Sequence, residues 1–358
     1  MTTSPASQLE ALRRLLDSGV IGQTVFDAAA RSLGALPAGE GASVADGALA
    51  QGDGAIAVGA GGVGIQGDNR GIVNLGVLIQ QAGRPGASPQ ALRQAYLARI
   101  LQQADQLPLF AGDSASAQIR LSAVYTALLT QREEDPAAGL RAPERNRENR
   151  LSALDTLNAE PRLVLLGGPG SGKSTFVNIV ALSLAGEMLG AAGPNLATLT
   201  APIPREDSGS NDEPRPQRWD HGPMLPVQVV LRDLASQLPP PGCPVDAQTL
   251  LDFIERGLEK AALADFMPQM KEALHCGALI LLDGLDEVPD ADDRREQIKQ
   301  AVQQFTATFG SCRYLVTSRT YAYQRQDWKL PGFAEVQLLP FTRAQIGRFV
   351  DAWYGHMV

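Results

Sequence analysis

The chain has 358 residues, a formal net charge of −8 and 44% hydrophobic residues, enough for one core of roughly 150 to 200 residues plus smaller modules. Its acidic balance gives no broad footprint for nucleic acid or for an anionic membrane, so neither is an expected partner. Cys243, Cys276 and Cys312 lack the paired spacing of a zinc site or disulfide framework and read as reduced, mostly core thiols, and no run approaches the ~20 apolar residues of a membrane span, which places the chain in the cytoplasm.

The first element, over 1–36, carries Leu9, Leu12, Leu15 and Leu16, then Val25, Phe26, Ala29 and Leu33, broken at Ser18-Gly19. This spacing predicts a small helical hairpin, similar to the two-helix oligomerisation modules of bacteria and equally to a plain amphipathic hairpin. A Gly-rich segment follows over 46–80, with Ile56, Val58, Ala60, Val63, Ile65 and Ile72 in brief alternation. It reads either as a flexible linker or as a β-like module that stacks in an activated oligomer. Alternation favours the second, because a solvated linker gains nothing from apolar residues on one face.

A helix/strand linker module is expected over 87–131, with an amphipathic helix at 89–106 and, at 118–130, strand-like alternation running into a helix or a second strand. Mixed charge and two prolines mark 132–150 as a charged linker, so the nucleotide-binding domain is expected over 151–336.

That domain opens on a short apolar run, Arg162-Leu163-Val164-Leu165-Leu166, of the kind buried in a parallel sheet. Next comes Gly167-Gly168-Pro169-Gly170-Ser171-Gly172-Lys173-Ser174-Thr175, which satisfies G-x-x-x-x-G-K-[ST] and runs into the apolar helix pattern Phe176, Ile179, Val180, Leu182 and Leu184. Glycines let the loop turn its backbone N–H groups onto phosphate, and the helix start adds unsatisfied N–H groups and partial positive charge. Lys173 is expected to bridge the β- and γ-phosphates, Ser174 to ligate Mg²⁺ and Thr175 to support the α-phosphate.

The segment 190–222 is polar and reads as an excursion loop. A further strand ends in Arg232-Asp233. The run Ala278-Leu279-Ile280-Leu281-Leu282 delivers Asp283 to the sheet's C-terminal edge, where it can hold Mg²⁺, and Asp286 and Glu287 follow on the loop. Either could orient or deprotonate the attacking water; Glu287 is favoured for its longer reach. Ile298, Val302, Phe305 and Phe309 mark a crossover helix, and the strand Tyr314-Leu315-Val316-Thr317 ends at Ser318-Arg319, placing Arg319 to sense the γ-phosphate. His221, His275 and His356 have no paired spacing and are read as ordinary side chains.

The combination of Gly167 to Thr175, Leu225 to Asp233, Leu282 to Glu287 and Thr317 to Arg319 resembles the NACHT family of signal-transducing ATPases. Its most specific piece is Asp283-Gly284-Leu285-Asp286-Glu287, and 337–358, with Phe341, Ile346, Phe349, Val350, Trp353 and Tyr354, is similar to the start of the family's helical domain. The resemblance implies an α/β P-loop NTPase fold of the additional-strand type, a parallel sheet flanked by helices. It also implies ATP, ADP and Mg²⁺ as ligands, and a slow ATPase switch that forms a homo-oligomer on activation by an unknown trigger ligand and acts on an unknown effector in bacterial defence signalling. The family's winged helix and sensor repeats do not occur before Val358, which reads as truncation after the ATPase core.

Two other readings stay open. A ring-forming motor ATPase acting on protein or DNA would need a trans-acting arginine finger and pore loops, and neither can be assigned. A GTPase would read guanine with Asn/Thr-Lys-x-Asp, and none of Lys173, Lys260, Lys271, Lys299 and Lys329 lies in such a motif. No nucleophile–base constellation occurs before residue 150, so the expected output is assembly rather than a second chemistry.

Overall fold

A computed structural model describes residues 87–105, 121–132, 151–191, 193–203, 216–289, 293–324 and 329–355, all within the unit Arg70–Val358. The hairpin expected over 1–36, the Gly-rich segment over 46–80 and the charged linker from 133 to 150 lie outside them.

Ser88 opens α1 (Pro89–Ala104): its Oγ accepts from Ala91 N at 3.2 Å, and Pro89 takes the first helical position, where no N–H is needed. The short strands β1 (Leu129–Gln131) and β2 (Leu151–Ser152) precede α2 (Ala153–Ala159), whose N-cap is Ser152. Then come β3 (Arg162–Leu166), α3 (Lys173–Leu189), β4 (Pro226–Val230) and α4 (Leu231–Ala235). A capping box between Asp246 and Thr249 starts α5 (Ala247–Lys260). Next are α6 (Met267–Cys276), β5 (Leu279–Asp283), α7 (Arg294–Thr308) and β6 (Arg313–Ser318), and the chain closes with β7 (Ala334–Leu338) and α8 (Arg343–Gly355).

The strands form one sheet in the order β2-β1-β7-β3-β6-β5-β4. The five from β7 to β4 are parallel, and β1 runs antiparallel to both β7 and β2. Near-continuous apolar runs in β3, β5 and β6 fit their place in the middle, since a strand covered on both faces has no polar face to alternate with. The insertion of β6 between β3 and β5 is the additional-strand arrangement expected from the sequence. The crossover helix between β5 and β6 is α7, which buries Ile298, Val302 and Phe305; Phe309 is its buried C-cap.

Of the segment expected as a linker module over 87–131, the described residues 87–105 and 121–131 place Leu92, Leu97, Ile100, Leu101, Leu121 and Leu128 in the hydrophobic core of the sheet domain. Helix α1 packs along α3, burying Leu92, Leu97, Ile100 and Leu101, and β1 pairs with β7 through Thr130 and Leu338. Helical periodicity shows which face of α1 is apolar but not what covers it. The excursion 190–222 is likewise partly core: Leu199 is buried, and Gln217 Nε2 donates to Leu199 O at 3.1 Å and Ala201 O at 2.7 Å. A Cβ on Gly186 would lie 1.7 Å from Pro194 O, so only glycine lets this segment cross α3. Of the cysteines only Cys312 is buried, its thiol donating to Leu274 O at 3.0 Å; Cys243 and Cys276 are exposed, against the expectation of core thiols.

Tyr96 shows what α1 contributes. Leu225 O accepts from Leu279 N inside the sheet, so the next carbonyl, Pro226 O, points off the open side of edge strand β4. There it accepts from Tyr96 Oη at 3.0 Å, while the Tyr96 ring stacks on Phe266 with centroids 4.9 Å apart. Burial pushes the Tyr96 phenol well above its ordinary pKa, so it stays a donor. Tyr96→Phe, which keeps the stack and removes only the hydroxyl, is expected to cost about 1–3 kcal/mol in urea unfolding. An unchanged midpoint would mean that the carbonyl needs no partner.

Candidate nucleotide site

The three central strands end side by side, with Leu166 of β3 paired to Ser318 of β6 and Leu282 of β5 paired to Val316 of β6. The catalytic and binding candidates lie at this edge, on the end of β5, on the loops leaving it and in the first turn of α3, the usual ligand face of an open parallel sheet.

The loop after β3 is anchored by Gly167 N donating to Ser318 O at 3.2 Å. Gly170 and Gly172 have φ of +71° and +91°, which favour glycine. A Cβ on Gly167 would stand 2.5 Å from Ser171 Oγ and would have to push that hydroxyl aside. Gly172 caps α3 with no side-chain hydrogen bond, leaving the helix's first N–H groups for an anion. Gly168, Pro169, Gly170 and Ser174 are exposed, while Ser171, Lys173 and Thr175 are half-buried. The Lys173 ammonium is folded over its own loop, donating to Gly167 O at 2.8 Å and Gly168 O at 2.9 Å. Burial lowers its pKa below the usual lysine value and Arg319 adds to this, while Asp286, Asp283 and Glu287 act the other way. Phosphate oxygens would compete with those two carbonyls for a cation already positioned.

At the end of β5, Thr317 Oγ1 accepts from Gly284 N at 2.9 Å and donates to Asp283 Oδ1, orienting the carboxylate from the neighbouring strand. Gly284, at φ +81°, turns the chain into a short 3-10 helix, Leu285–Glu287, pinned by buried Leu285. From that turn the next two carboxylates diverge. Asp286, with its side chain only 8% exposed, accepts from Arg319 Nε at 2.9 Å, and its other oxygen accepts from Arg319 N at 2.9 Å. Glu287 faces the other way, with Oε2 3.5 Å from an Arg232 guanidinium nitrogen.

The structure thus gathers Lys173, Asp283, Asp286, Glu287 and Arg319 on one sheet edge and places Arg319 against Asp286. Among the described residues no three His, Cys, Asp or Glu side chains group as a metal site, so a cation held by Ser174 and Asp283 would complete its shell with phosphate oxygens and water, as Mg²⁺ does. His221 lies 3.0 Å from Asn158 O and edge-on to Trp219, and His275 packs on Phe309. No helix among the described residues is long and apolar enough to cross a membrane.

Two contributors escape motif reading. Arg232 carries a known strand-end position but no spacing that links it to Glu287. The segment 125–128 runs beside the phosphate loop, with Leu128 Cδ1 3.4 Å from where a Gly172 Cβ would stand. Gln345 of α8 holds it by donating to Ala127 O at 2.6 Å, and buried Thr126 Oγ1 has no hydrogen-bond partner among the described residues. Only the buried hydroxyl in an apolar stretch could have flagged it.

In comparisons with known proteins, residues 162–356, more than half of the chain, match the family model of the NACHT domain. No curated protein matches the chain.

Proposed function

Since the chain belongs to the NACHT family of P-loop nucleoside triphosphatases, we propose that it is a Mg²⁺-dependent ATP switch, hydrolysing slowly and assembling into a homo-oligomer in its ATP form. Such a switch suits bacterial defence signalling, with a trigger ligand and an effector as its partners. The observation that carries this reading is the convergence of a phosphate loop, Asp283 and Arg319 on three adjacent strand ends, with Arg319 held by a carboxylate that a phosphate can replace.

Each residue has a distinct task. The loop 167–172 and the first N–H groups of α3 wrap the β-phosphate, Lys173 reaches the β- and γ-phosphates, and Thr175 supports the α-phosphate. The segment 125–128 borders the nucleoside, with Thr126 Oγ1 as a polar contact. Ser174 and Asp283 would hold Mg²⁺, which when bound would supply neutralisation of the charge developing on the phosphates. Glu287 orients the attacking water. Arg319 exchanges Asp286 for the γ-phosphate, which couples the identity of the nucleotide to the ends of β5 and β6. Moving a two-state protein from 1:99 to 99:1 takes about 5.5 kcal/mol of differential binding, a sum that several charge-assisted contacts to one phosphate can supply.

The test compares ATP and ADP, with and without Mg²⁺, by equilibrium binding and light scattering. ATP with Mg²⁺ is expected to raise the scattering mass and ADP to leave it unchanged. Asp283→Asn is expected to weaken Mg²⁺-ATP binding about tenfold or more and metal-free ATP little, since it acts through the ion. Equal losses would make Asp283 structural, and equal mass with both nucleotides would remove the switch.

A further inference from the structure

At the opposite edge of the sheet from the phosphate loop, the chain forms an open cavity of about 560 Å³, a size typical of small-molecule sites. Leu225, Gly277 and Arg313 on its wall stand where β4, β5 and β6 begin, so the length of β5, about 13 Å of strand, separates it from Asp283. Met188, Met224 and Phe266 give the cavity an apolar wall, while its charged groups are short of partners. Arg313 donates through Nη2 to Leu157 O at 2.8 Å and Asn158 O at 2.9 Å, carbonyls of the last turn of α2, where helical donors run out. Its buried Nε has no hydrogen-bond partner among the described residues. Burial pushes the Arg313 pKa down and Glu160 pushes it back up, so this cation gains from any further anion brought beside it. Arg93 from α1 and Glu272 from α6 also line the cavity, and neither forms an ion pair among the described residues.

We propose that this cavity is a second ligand site, for a small carboxylate with an apolar body. Its two guanidiniums and one carboxylate leave a formal charge of +1, on a chain whose charge counted the same way, with histidine neutral, is −8. His221, also on the wall, spends its Nε2 on Asn158 O at 3.0 Å. A singly charged ligand closes the balance, whereas a phosphate monoester, at about −1.5 to −2, exceeds it. A planar carboxylate also matches the fork that a guanidinium presents. The methionines and Phe266 provide contact for a ring or alkyl body. Since the phosphate loop lies at the other end of the strands, a carboxylate here leaves it free for nucleotide.

Cys276 supplies the readout. It is exposed on the cavity wall, Cys243 is exposed away from it, and Cys312 is buried. The full chain is alkylated with iodoacetamide at constant pH and ionic strength, and the rate at each cysteine is followed by peptide mass spectrometry. The probe is benzoate, with benzamide as its uncharged counterpart and phenyl phosphate as the more highly charged one. A fragment of this size binds with a Kd on the order of millimolar, so about 20 mM benzoate is expected to slow Cys276 about threefold or more. Cys243 should react at its usual rate, Cys312 should stay unlabelled in the folded chain, and benzamide should protect Cys276 little. Arg93→Ala, an exposed change in the first turns of α1, should remove most of the protection, and Glu272→Gln should deepen it. Arg313 is left in place because its loss would also uncap α2. No protection of Cys276 overturns the proposal, as does equal slowing at Cys243, equal protection by benzamide, stronger protection by phenyl phosphate, or protection that survives intact in Arg93→Ala.

Discussion

Lys173→Ala is expected to lower ATP affinity at least about 100-fold, because it deletes charge-assisted hydrogen bonds worth roughly 1.5–3 kcal/mol each to the β- and γ-phosphates. The fold should survive. Lys173 is half-buried, its ammonium bonds among the described residues only to Gly167 O, Gly168 O and Ser171 Oγ, and Phe176, Val177, Ile179 and Val180 of α3 are core. Losing those bonds relaxes an exposed loop rather than opening a cavity. Titration of a fluorescent ATP analogue alongside thermal unfolding separates the two effects. Wild-type affinity in a folded variant would exclude the loop 167–175 as the phosphate site. Lost affinity together with a collapsed melting curve would instead make Lys173 part of the fold.

Glu287→Gln is expected to slow single-turnover hydrolysis by about 10²-fold or more, since a positioned carboxylate contributes roughly 10²–10⁴ to proton transfer and an amide of the same shape cannot accept the proton. Mg²⁺-ATP affinity should hold, because Asp283 and Lys173 are untouched. With the ATP form longer-lived, light scattering should show more of the assembled state than in wild type. Asp286→Asn should slow hydrolysis less, and through a different route. The carboxylate binds both the side chain and the backbone of Arg319, so its loss displaces Arg319 rather than removing a base. If Asp286→Asn were the slower of the two, the roles of the neighbouring acids would be exchanged.

The amino-acid sequence by itself determined the parts of this protein that depend on neighbours in the chain. Glycines and a lysine at fixed spacing between an apolar strand and an apolar helix pattern mark a phosphate loop at a helix start, and an apolar strand ending in Asp283 puts that carboxylate at a sheet edge. These features, with the matching strand at Tyr314 to Thr317, were enough for the fold class and the family. Tertiary structure alone decided which charges meet. The two Asp286–Arg319 contacts and the Glu287–Arg232 pair join residues from different strand ends, and although the additional-strand order was expected from the sequence, no local pattern encodes which of these side chains meet. The same holds for α1 and the segment 125–128. Periodicity marked an apolar face on the first, and only packing could show that it covers α3 and the open edge of β4, while Gln345 fastens the second beside Gly172. A face buries apolar area equally well against any matching partner, so its sequence specifies that it is covered and leaves the choice of cover to the assembled core.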